Sequence, residues 1–205
     1  MANRLFTLGH SVMEWSVFMD LLRQFDIHLL VDVRSRPQSS RFPQFDRNGM
    51  ENSLERENVR YLFMGEELGG RPEDPKSYRK DGLVDYRVCR KSHSFQVGVE
   101  RVLHELAQNN LALMCAEEDP LNCHRFLMIC PELITLGVQP NHIRKGGILE
   151  TQENTEDRLL QSQQFGAVAG ASLFPDARDA ALENAYIAQA EKCAFRADPN
   201  QLDPW

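Results

Sequence analysis

The apolar residues fall in short runs whose period changes along the chain. "RLFTLGH" (4–10), "HLLVDV" (28–33), "VRYLFM" (59–64) and "LALMC" (111–115) are continuous apolar segments of strand length. Such runs suit strands buried on both faces. Between them Trp15, Phe18, Leu22 and Phe25, and later Phe95, Val99, Val102 and Leu106, recur at three- and four-residue steps. These predict helices that each lay one face on a core. Ser11 and Glu14 form a capping-box pattern ahead of the first helix, and Asp46 is placed to cap a short one carrying Met50 and Leu54.

A long connection rich in glycine, proline and charge spans 65–82, a length at which loops tend to be functional. A helix is expected from about Asn122 to Leu136, stopped by Gly137 and kinked or divided at Pro131. "VQPNHI" (138–143) reads as the last strand, weakened by Pro140. Strands alternating with helices imply an α/β fold: a mainly parallel sheet flanked by helices on both faces. Residues 1–150 form that domain in this reading. Residues 151–205 form a polar, acidic helical extension, with "GAVAGAS" (166–172) as a flexible joint and a final helix over 175–195. Residues 166–205 should then be removable, unless Leu182, Tyr186, Ile187 and Phe195 dock on the core or on a second subunit.

Charge sharpens the division. Residues 1–150 hold 19 Lys and Arg against 21 Asp and Glu, whereas 151–205 hold 4 against 9. The overall net charge of −7 argues against a general nucleic-acid coat. Arg34, Arg36, Arg41 and Arg47 nevertheless face only Asp46 across 33–47, and a guanidinium fork suits phosphates and carboxylates. Five irregularly spaced cysteines, the missing leader and the lack of a long apolar span point to reduced thiols in a cytoplasmic protein without a membrane segment.

The parallel topology brings the strand ends to one edge, where ligands usually bind. His10, Asp32, Arg34, Glu67, Cys115 and Glu117 should gather there. Two cysteines and a histidine share the connection "CAEEDPLNCHR" (115–125). Cys115 closes a buried strand beside three acids, so its thiol should be shielded and weakly acidic. Cys123 begins a helix beside His124 and Arg125, where thiolate is favoured. His124 is expected to turn towards Glu117 or Asp32, because adjacent helical residues point about 100° apart. Candidate catalytic residues are therefore Cys123, His124, Glu117 and Asp32, and Arg34, Arg36, Arg41 and Arg125 are candidate anion ligands. A metal held by Cys115, Cys123, His124 and His10 is a third possibility, although Cys-x7-Cys-His is not a recognised zinc spacing.

"TLGHS", "VDVRSRPQSSRFPQF", "YLFMGEELGG" and "LMCAEEDPLNCHR", in this order, resemble the family called domain of unknown function 488, over about residues 4–150. The resemblance implies an α/β domain and brings no settled activity. Its motif positions are His10, Asp32, Arg34, Pro37, Phe45, Glu67, Leu68, Gly69, Gly70, Cys115, Glu117, Cys123, His124 and Arg125. Pro131 departs from the family's uninterrupted helix. Two classes of function stay open: an enzyme acting on a phosphate-bearing substrate, such as a nucleotide or nucleic-acid end, or a binding module for nucleic acid, protein or metal. No cofactor is specified.

Overall fold

The computed structural model describes residues 3–39, 41–164 and 175–198. Six strands form one sheet in the order β3-β2-β4-β1-β5-β6. They are β1 Leu5–Gly9, β2 Leu29–Asp32, β3 Arg60–Phe63, β4 Leu111–Cys115, β5 Asn141–Ile143 and β6 Leu149–Thr151. All pairings are parallel except that of β5 with β6. The α/β expectation is met. The antiparallel edge strand β6 was not foreseen, because "LET" has no alternation strong enough to separate it from the polar segment that follows.

Alternate strand residues feed two cores. Leu5, Leu29, Val31, Leu111 and Leu113 face one cluster, and Phe6, Leu8, Leu30, Ala112 and Met114 face the other. Helices α1 (Trp15–Gln24) and α2 (Arg47–Glu55) cover the second face. The first face is covered by α4 (Tyr86–Arg90), α5 (His93–Leu106), the helix after β4, α7 (Gln152–Ser162) and α8 (Pro175–Cys193). The short α3 (Gly65–Leu68) opens the long connection expected over 65–82.

Local chemistry departs from the sequence expectation at three places. Ser11 sits at φ 45 and α1 begins only at Trp15, with no side-chain cap at Glu14, so the Ser11–Glu14 capping box does not form. Asp46 occupies the N-cap of α2 without a side-chain bond. The helix after β4 starts at His124, runs as a π-type turn over Arg125–Ile129, and resumes as α6 (Cys130–Thr135). Pro131 directly follows that π-type turn, inside a continuous helical segment, where a proline removes a backbone donor and crowds the preceding turn. The expected division is thus absorbed by a wider turn just upstream.

The segment "GAVAGAS" lies outside the described residues. Beyond it, α8 lies on the first core: Ala181 and Ala185 are buried and Leu182 and Tyr186 pack beside them. Gln189 donates to the Leu121 carbonyl (3.0 Å) and to Asn122 (3.1 Å). Farther on, Val84 N–H donates to the Phe195 carbonyl and Ala197 N–H to that of Gly82. The docking alternative is the one this packing follows.

A buried polar chain crosses the same region. Arg125 Nε donates to Thr7 Oγ1 (3.2 Å), His142 Nε2–H donates to Gln152 Oε1 (3.0 Å), and the Nδ1 left bare in that tautomer accepts from the Thr7 hydroxyl (2.8 Å). Gln152 in turn donates to Tyr186 and Glu156. This sequence of donors requires a neutral His142. Burial, reinforced by the Arg125 charge, lowers its pKa from 6.5 to about 4.

Two predictions follow from the packing. Ending the chain at Gln164 should abolish soluble, cooperatively melting protein. Each large side chain uncovered costs about 1.5–3 kcal/mol, against a typical total near 5–15 kcal/mol. Recovery of a truncated protein with an unchanged melting temperature would refute this. For pH, a folded His142 that resists protonation until about 4 makes stability full above about 6.5 and lost as pH falls through that window. Thermal melts from pH 7 down to 4 should show the loss, and His142→Gln should make it shallower by removing the His142 share, leaving that of the similarly buried His10.

Candidate functional site

Strand β4 lies between β2 and β1, and its outgoing helix covers the opposite face from α1 and α2. Divergence of neighbouring connections opens a crevice at the carboxyl end of such a strand. Cys115 is the last residue of β4 and sits in that crevice. The cleft has a volume of about 490 Å³, with Cys115, Cys123, His124 and Glu117 on its floor and Arg36, Arg71, Gln38 and Phe195 around it.

The connection that carries the floor is held from all sides. Arg125 is 1% exposed, and its Nη1 and Nη2 donate to the carbonyls of Glu117 (2.7 Å) and Glu118 (2.8 Å). A Cβ on Gly9 would fall 1.7 Å from the Glu117 carbonyl oxygen, so only glycine lets β1 pass this close. Glu118 pairs with Arg144 (3.0 Å) and Asp119 with Arg158 (2.8 Å), tying the acidic turn to the segment after β5 and to α7. Two of the three acids thus turn away from the thiols. Glu117 alone remains, and its Oε2 accepts from the Cys115 thiol at 2.9 Å.

His124 does not face Asp32. Its Nε2–H donates to the Val33 carbonyl (2.9 Å), which leaves Nδ1 pointing at both sulfurs, 3.8 Å from Cys115 and 3.7 Å from Cys123. The helical rule that suggested otherwise fails because Cys123 is extended, at φ −135 and ψ 139. Gly70 closes the other side, since a Cβ there would press on the imidazole at 2.8 Å.

The electrostatics separate the two thiols. The hydrogen bond with Cys123, together with burial, holds Cys115 well above the usual thiol range. At Cys123 burial opposes the thiolate but is outweighed by the Cys115 bond and the charges of Arg125 and His124, so its pKa is well depressed. Burial also opposes the His124 imidazolium, and the neighbouring Cys123 charge overcomes it and raises the pKa. Arg125 has no carboxylate within ion-pair distance among the described residues, so the sulfur cluster supplies its counter-charge. Chemically the floor offers either a thiolate–imidazolium pair or a three-donor set for a soft cation.

The remaining expected site residues divide. Asp32 is fully buried and is bound bidentately by Arg34 (2.9 and 2.6 Å) and by the Tyr61 hydroxyl (2.7 Å), away from the floor groups. Arg34 commits its fork to Asp32, to the Phe45 carbonyl and towards His10 Nε2. His10 reaches the shared edge, where its N–H donates to the Cys115 carbonyl. Its ring stacks on Phe45 at 4.2 Å and its Nδ1 lies on Ser11 O, outside the cysteine cluster. Burial, then the Arg34 charge, lowers the His10 pKa to about 4. Arg41 is exposed over Phe42, and Glu67 lies 3.7 Å from Arg101; neither lines the cleft. Of the four arginines expected to bind an anion, only Arg36 both lines the cleft and keeps its fork free of hydrogen-bond partners among the described residues.

Arg71, Tyr86, Cys193 and Phe195 were missed. Arg71 follows "LGG" directly, and its N–H donates to Ser35 Oγ (2.9 Å) while its guanidinium lies over the Phe195 ring (4.5 Å). Its place beside a glycine pair was the available signal. Cys193 and Phe195 arrive from the far end of the chain with none.

A family model described as "Domain of unknown function DUF488" matches residues 14–129, more than half the chain. The chain belongs to this family. No curated protein and no solved structure matches it. In this DUF488 protein the matched span ends at Ile129, so the Cys193 and Phe195 contributions to the cleft lie outside it. No helix among the described residues is long and apolar enough to cross a membrane.

Because the Asp32–Arg34 pair is buried, Arg34→Ala should destabilise by about 3–5 kcal/mol by stranding a carboxylate. Arg36→Ala, at an exposed position, should stay within about 0.5 kcal/mol. Urea melts of both variants check this, and equal midpoints would sink the assignment.

Proposed function

We propose that the cleft is the active site of an enzyme acting on a small phosphate-bearing substrate. The observation that carries this reading is the pairing of Arg36 and Arg71 with the floor beneath them. Both are exposed cleft residues without an acidic partner among the described residues. Partner-free guanidinium groups favour a dianionic ligand. The volume of about 490 Å³ suits a ligand of nucleotide size, and Tyr86 and Phe195 supply apolar wall. Cys123, His124 and Glu117 are the groups within reach of a bound substrate for chemistry. Asp32 acts on them at a distance, by positioning Arg34 and the strand end. A pure binding module would need no converging buried thiols and imidazole, which supports an enzyme over that alternative.

Inorganic phosphate, nucleoside monophosphates and single-stranded oligonucleotides, added in thermal-shift assays, test the reading. Phosphate and nucleotides should raise the melting temperature of the wild type and leave Arg36→Ala/Arg71→Ala unmoved. Equal shifts in both proteins would remove the anion site, and a response to oligonucleotides alone would favour a nucleic-acid module.

A further inference from the structure

We propose that Cys115 Sγ, Cys123 Sγ and His124 Nδ1 bind one zinc-class divalent cation, with a fourth position open to the cleft. The proposal deepens the anionic-substrate reading and rests on it only for what occupies that fourth position.

Distance is the first argument. The three donor atoms all lie within 4.8 Å of one another, with nitrogen-to-sulfur separations of 3.8 and 3.7 Å. Two ligands on one tetrahedral zinc, at about 2.3 Å for sulfur and about 2.0–2.1 Å for nitrogen, stand about 3.6 Å apart. The two N···S separations are therefore nearly those of a coordination sphere, and they are long for hydrogen bonds.

Orientation is the second. A metal-binding imidazole usually donates its other N–H to a carbonyl or carboxylate. His124 does so to Val33 at 2.9 Å, which leaves Nδ1 facing the sulfurs as the nitrogen that gives up its proton when an ion binds. Gly70 and the Gly9–Glu117 approach fix the ring and the strand end, so the donors are held in place before any ion arrives.

Charge is the third. Two thiolates neutralise a divalent ion, and the buried Arg125 and the adjacent Glu117 offset each other at its border. Binding releases the Cys115 proton now donated to Glu117, whose carboxylate then remains as an acceptor beside the ion. Two sulfurs and one imidazole select a soft or borderline ion over magnesium or calcium. Three protein ligands facing a cleft match the arrangement of a catalytic site, and closed structural sites have four. Arg36 and Arg71 line the same cleft, so an anion they hold could reach the open position.

Tag-free, full-length protein should bind one Zn²⁺ per chain by elemental analysis. With Co²⁺ it should give a thiolate-to-metal charge-transfer band and the intense visible bands of a tetrahedral site. Cys115→Ser and Cys123→Ser should each remove the charge-transfer intensity of one thiolate and weaken cobalt binding at least tenfold. Should either variant fail to fold, the wild type alone decides: metal should protect both thiols from alkylation together, and a chelator should expose both. Cys123 alkylating rapidly whether metal or chelator is present overturns the proposal in favour of a free thiolate nucleophile. Absence of the cobalt bands while phosphate still stabilises through Arg36 and Arg71 overturns the metal alone. Cobalt bands without any phosphate response confirm the metal and remove the substrate reading.

Discussion

The buried guanidinium of Arg125 is the constraint on which the cleft depends. A cation taken out of water is costly unless its donors are satisfied and a counter-charge lies near. Here Thr7 on β1 and the carbonyls of Glu117 and Glu118 satisfy the donors. Their positions fix the first turn after β4 against its neighbouring strand. The counter-charge falls to the sulfur cluster, so the group that shapes the connection also helps the Cys115 bond to lower the Cys123 thiol pKa. Architecture and chemistry meet in one side chain.

The same guanidinium links the cleft to the far side of the core. Thr7 passes its hydrogen bond to His142, and from there it reaches Gln152, Tyr186 and Glu156. Buried polar networks are stabilising only when every member is satisfied. α7 and α8 therefore complete a polar interior begun by β1 and the helix after β4. Their place outside the matched family span does not make them peripheral to the cleft, since α8 and the segment after it also bring Cys193 and Phe195 to its wall.

Two ion-pair systems divide the labour of the charged residues around this centre. Arg34 and Asp32, buried together, serve the end of β2. Arg144 and Arg158 gather Glu118, Asp119 and Glu150 at the opposite rim. Once these are satisfied, Arg36, Arg71 and Glu117 are left facing the cleft. Most charges in the motifs thus build the site, and a few are left to meet a ligand.

Much of the fold was legible in the sequence itself. Continuous apolar runs ending in polar residues identified four strands, and three-to-four spacing identified α1 and α5, because burial imposes those periods directly. The shared edge followed from the parallel topology, and it gathered His10, Cys115 and Glu117 as expected. The sequence also marked Cys115 as shielded and Cys123 as the more acidic thiol, since strand interiors and helix starts have different local fields. Only the tertiary structure decided which arginines were occupied and which were free. A guanidinium reaches several ångströms, and its partner depends on contacts such as Arg34 with Phe45 or Arg71 with Phe195 that span 11 and 124 positions of chain. The orientation of His124 was likewise beyond reach, because the extended backbone of Cys123 breaks the helical geometry that its neighbours suggest. The docking of α8 was left open by the sequence: its small, acidic composition reads as solvated while Leu182, Tyr186 and, just beyond it, Phe195 offer an apolar face, and only the surface it covers decides between the two.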